Sequence, residues 1–110
     1  MARFMVETET KMLSGETESI PIDTSYLAIF GLFVPTIDSS TLTFKVDAEN
    51  SVDWVVLKDK AGASISFTVG TGGIALSSDD LSPLAAYRHI KIVLSATQTA
   101  DRVFCWVLKT

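Results

Sequence analysis

Thr41-Leu-Thr-Phe-Lys-Val-Asp47 places Leu42, Phe44 and Val46 on one side of an extended chain and Thr43 and Lys45 on the other. Alternation of this kind, with β-branched and aromatic residues on the apolar side, marks a half-buried strand. Working outward, Ser64-Ile-Ser-Phe-Thr-Val69 repeats the pattern, and Arg88-His-Ile-Lys-Ile-Val-Leu94 sets Ile90, Ile92 and Leu94 against His89, Lys91 and Val93. Arg102 to Lys109 opposes Phe104, Trp106 and Leu108 to Val103, Cys105 and Val107, so it is apolar on both sides. Trp54 and Val56 against Val55 and Leu57 do the same. Strands that are apolar on both sides need cover on both faces, which predicts that an N-terminal arm or a subunit neighbour supplies part of it.

Eight strand candidates follow a polar opening segment, at about 18–22, 26–34, 42–48, 53–58, 64–69, 73–77, 87–95 and 102–109. The breaks between them carry turn chemistry. Pro35-Thr-Ile-Asp-Ser-Ser40 and Glu49-Asn-Ser51 hold residues that bond their own backbone. Lys58-Asp-Lys-Ala-Gly62 suits a hairpin loop with Gly62 at positive φ, and Gly70-Thr-Gly-Gly73 is a further loop. Ser77 to Ala86 has helical character, with Ser78 or Asp79 placed to cap a single turn and Pro83 near its start. Connections this short favour antiparallel pairing. The expected fold is an all-β antiparallel β-sandwich, jelly-roll-like, of about eight strands over residues 17–110, preceded by an N-terminal arm at 1–16.

The arm has scattered apolar residues. It reads as a tail or first edge strand, or as a segment that orders against a neighbouring subunit through Phe4, Met5 and Val6.

At 110 residues, 47% hydrophobic and 20% charged, the chain is a single globular domain. A net charge of -4, with nine basic residues of which no two are adjacent, excludes a nucleic-acid surface, because phosphate binding needs clustered cations. Tyr26 to Val34 is the longest apolar run and is too short to span a membrane as a helix. The opening residues lack the apolar core and cleavage site of a signal peptide. One cysteine, Cys105, permits no disulfide within the chain and suits synthesis in a reducing cytosol.

Chemistry-bearing patterns are sparse. Asp47, Glu49, Asp53, Asp59 and the Asp79-Asp80 pair fall in loops without calcium-loop spacing, and nothing singles out a glycosidase pair among thirteen acids. With one histidine, His89, and one cysteine, a zinc site is excluded. No nucleophile elbow or phosphate loop occurs. The expectation is no enzyme, no metal and no cofactor. Trp54, Tyr87 and Trp106 are the rings available for a sugar-binding platform, with core packing the stronger reading for both tryptophans.

The motifs also have an order. Leu27-Ala-Ile-Phe-Gly-Leu-Phe-Val-Pro35 is followed by Leu42-Thr-Phe-Lys-Val46 and Asp59-Lys-Ala-Gly62. Gly73-Ile-Ala-Leu76, Tyr87-Arg-His-Ile-Lys-Ile92 and Gln98-Thr-Ala-Asp-Arg102 complete the series. This collinear series, over about residues 20–104, resembles that of small tailed-bacteriophage virion proteins, from which it departs in the loops at 47–51 and 95–99. The resemblance implies a non-enzymatic capsid decoration or cement protein, made in the host cytoplasm and carried on the capsid exterior. Its implied partners are the major capsid protein and itself, as a homotrimer. A tail or neck accessory protein, or a carbohydrate-binding module for host adhesion, is the alternative.

Overall fold

A computed structural model gives the structure of the chain and describes residues 5–25, 27–38, 40–47, 54–69, 72–85 and 87–109. Among the described residues nine strands run in chain order: β1 (Met5–Met12), β2 (Ile22–Asp23), β3 (Ala28–Val34), β4 (Ser40–Asp47), β5 (Val55–Val56), β6 (Phe67–Val69), β7 (Ile74–Ser77), β8 (His89–Leu94) and β9 (Arg102–Lys109). Every pairing between them is antiparallel. Sheet A has the order β1-β9-β3-β7, and sheet B the order β2-β8-β4-β5, with β6 also on β4.

The topology follows from one device. The first four strands pair in reverse sequence with the last: β1 with β9, β2 with β8, β3 with β7, and β4 with β6 and β5. The chain is thus one long hairpin folded back after β4. Rolling that hairpin adds the β3–β9 and β4–β8 pairings and divides the ribbon into two packed sheets. This is the jelly roll, and it leaves both sheets with an inner and an outer face. Each of the eight expected strands has a counterpart, and the opening segment adds the ninth. Residues 5–12 pair along their whole length with β9 of the same chain, from Met5 against Lys109 to Met12 against Arg102.

Inner side chains interdigitate as the alternation requires. Phe104, Trp106 and Leu108 of β9 meet Leu42, Phe44 and Val46 of β4 and Ile90, Ile92 and Leu94 of β8. The Phe44 ring lies 6.1 Å from Trp106 and 6.2 Å from Phe67 by centroid, in tilted and edge-on arrangements that aromatic pairs favour. The buried indole N–H of Trp106 meets no acceptor among the described residues.

Two local expectations change. The helical turn at 77–86 is a 3-10 turn, Ser82–Leu84, with Pro83 in its first positions and no side-chain cap. Asp80 instead accepts bonds from the Ser77 amide (3.1 Å) and hydroxyl (3.0 Å), closing the preceding loop. The expected two-sided strand at 53–58 is a two-residue edge strand: Leu57 joins the core, whereas Val55 is largely exposed. Gly62 has the expected positive φ of 87°, inside a turn where Asp59 accepts the Ala61 and Ala63 amides.

Candidate functional site

The motif residues do framework work. Leu27–Pro35 contains β3, Leu42–Val46 lies in β4, and Ile74 to Leu76 lie in β7. Gly73 has φ 75°, and an added Cβ would meet the Val34 carbonyl oxygen at 2.6 Å, so only glycine fits where β3 and β7 meet. Gln98, buried, accepts from the Asp38 amide (3.0 Å) and Arg102 Nε (3.1 Å) and donates to the Ala96 carbonyl (3.0 Å). Asp101 accepts the Ser14 amide at 2.8 Å. The last motif therefore binds the β1–β2 turn, the β3–β4 loop and the start of β9 to one another.

Surface chemistry sits on the two outer faces. On sheet B, Lys45 and Lys91 are directly paired across β4 and β8, a repulsive placement. Glu18 resolves it, with Oε2 2.7 Å from Lys45 Nζ and Oε1 3.5 Å from Lys91 Nζ. The Lys45 hydrogen bond in particular holds the Glu18 carboxyl below its ordinary range. Lys91 also lies 4.7 Å from the centre of the Trp54 ring. Beyond it, Asp23 takes Arg88 bidentately at 2.8 and 3.0 Å, and His89 Nε2 is 3.9 Å away. The Arg88 bonds, then the Ser25 amide, lower Asp23 to about 2. This face is polar and internally matched.

Sheet A is the opposite. Register places Val103, Cys105 and Val107 of β9 outward, with Phe33 of β3 beside Cys105 and Ala75 of β7 beside Phe33. Phe33 is 54% and Phe30 44% exposed. Glu7, Glu9 and Lys11 of β1 line one margin, opposite Val107, Cys105 and Val103 respectively. Lys109 Nζ lies 4.7 Å from the centre of the Phe30 ring, at the position where a register shift in β3 accommodates the extra residue. Burial, and then the Glu7 and Glu9 charges, push the Cys105 thiol up, so it is a poor nucleophile at neutral pH.

The named candidates distribute as follows. Phe4 lies outside the described residues, and Met5 begins β1. Val6 pairs with Leu108 on the core side of β1 and is 41% exposed. Of the sugar-platform rings, Trp106 is fully buried, Tyr87 is half-buried against the core, and Trp54 is half-buried beneath Lys91. None of the three offers a free flat ring. Asp47 is buried, paired in register with His89, and Asp59 closes its own turn. Asp79 and Asp80 are exposed. Among the described residues no three His, Cys, Asp or Glu side chains converge as a metal-binding group, and no helix is long and apolar enough to cross a membrane.

Sequence reasoning missed Phe30 and Phe33. Their signal lies in the consecutive apolar positions of Tyr26 to Val34: a strand apolar at every residue must turn half of them outward.

No family model matches the chain, and no curated protein matches it. Among solved structures, the chain is similar to the SPBc2 prophage-derived protein YomS, with a TM-score of 0.47 and 13% identity over 96% of each chain.

Proposed function

We propose that this chain is a non-enzymatic structural protein of a tailed-bacteriophage virion, a capsid decoration or cement protein that binds the outer shell and joins neighbouring major capsid subunits. The observation that carries the reading is the collinear run of motifs from Leu27 to Arg102, which resembles that of small tailed-phage virion proteins. Those residues build strands and turns and converge on no reaction centre, which suits a protein whose task is to be a rigid body. Binding the assembled lattice and not its separated subunits would stabilise the shell by mass action.

The test uses expanded shells assembled from a tailed-bacteriophage major capsid protein. Co-sedimentation with those shells, together with a raised shell melting temperature, is the expected result. Failure to co-sediment would remove the capsid reading. Co-sedimentation with purified tails in place of shells would establish the tail or neck alternative.

A further inference from the structure

We infer that the outer face of sheet A pairs with the same face of a second copy of this chain, about a two-fold axis along the row Glu9–Cys105–Phe33–Ala75. The strand register carries the inference. That row crosses β1, β9, β3 and β7 side by side. On one side of it, two residues away, lie Lys11 and Val103; on the other, equally distant, lie Glu7 and Val107. A two-fold axis lying in the interface along the row exchanges these positions. Lys11 of each copy then stands opposite Glu7 of the other, and Val103 opposite Val107.

The face is therefore self-complementary in charge as well as apolar in its middle, which an isologous interface requires. Glu9 meets its symmetry mate at the exposed margin, where water and salt screen the repulsion. Packed sheets lie about 10 Å apart, which leaves the two Cys105 side chains facing each other across the axis, beyond disulfide reach and within reach of a short bis-maleimide. Four strands by about six residues give roughly 400 Å² in plan for each copy. That is below the size of a standard stable interface, so the dimer is weak and concentration-dependent.

Such an assembly closes at two, so the trimer implied by the resemblance does not form through this face. The inference goes beyond the capsid reading and does not need it, because it is read on the free protein.

The experiment is sedimentation equilibrium of the full chain from about 1 to 500 μM, a range wide enough to populate a weak dimer, with circular dichroism to confirm folding of every variant. Mass should rise from one to two times 11.9 kDa. Phe33→Glu should raise the dissociation constant more than tenfold, whereas Val55→Glu, on the other sheet, should leave it unchanged. Lys11→Glu and Glu7→Lys should each weaken the dimer severalfold, and the double exchange should restore it. At pH 8.5 the bis-maleimide should join two copies through Cys105 in the native chain and not in Phe33→Glu. A monomer at every concentration, or a trimer, overturns the proposal. So does a double exchange that fails to restore what each single change removed.

Discussion

On the outer side of sheet B, Lys45 faces Lys91 and Glu18 holds both; on the outer side of sheet A, Phe33 stands beside Cys105 with more than half its surface in water. The two sheets have the same antiparallel backbone and share one core. They differ in how their outward positions are finished. An ion-paired face satisfies its own groups, and water is a good solvent for it. An apolar face costs about 25 cal/mol for each Å² left wet. The lesson is that strand alternation sets which side is buried in the monomer, and the residues on the remaining side tell whether burial stops there.

The comparison predicts sharply different sensitivities. The largest lies at adjacent positions of β9. Trp106→Ala, beneath both sheets, should cost about 3–5 kcal/mol in denaturant unfolding, whereas Cys105→Ala should stay within about 1 kcal/mol. Equal effects would show that β9 does not separate an inner from an outer side. Next is Gly73→Ala at the margin of sheet A, where a positive φ and a carbonyl 2.6 Å from the new Cβ coincide. A loss of about 1–3 kcal/mol is expected, and a neutral result would mean that β3 and β7 can separate there.

On sheet B, Glu18→Gln removes the bridge between two paired lysines. The pair is partly solvent-screened, so a loss of about 0.5–1 kcal/mol is expected, shrinking in 1 M salt. A loss unaffected by salt would show that packing, not charge, holds this face. The smallest effect is on the acid limb. Asp23 falls from 3.8 to about 2 in the folded state. A depressed folded value means that its stabilisation is complete above about pH 4 and drains away as pH falls towards 2. Asp23→Asn should therefore slightly flatten the stability curve over that window. Its 43% exposure keeps the change small. An unchanged curve would show that Arg88 and Asp23 contribute nothing to folding.

Much of the framework was legible because alternation is visible wherever the inward residues are apolar. β4, β8 and β9 have Leu, Phe, Val, Ile and Trp inward, and their expected spans agree with the structure to within two residues at each end. β1 was harder to read. Its inward positions include Thr8 and Thr10, so its period-2 pattern looks merely polar. Thr10 is nonetheless buried, its hydroxyl donating to the Ile20 carbonyl. β5 erred the other way: a continuous apolar run suggested a longer strand, yet Val55 lies at an open margin. The apolar surface of sheet A could be glimpsed in the two-sided pattern of β9. Its coincidence with Phe33 and with the Glu7–Lys11 margin depends on register between distant strands, which no local pattern carries.

The place of β9 between β1 and β3 has a consequence for how the protein is made. Synthesis delivers the strand that joins the first and third strands after every other strand has appeared. Until then sheet A is split, and its two parts lack the bulkiest side chain of the shared interior, Trp106. A nascent chain can form local pairs such as β4 with β6, but it cannot close the roll. Folding of this domain is therefore completed only once β9 has been made, and its slow, long-range step is the insertion of that strand.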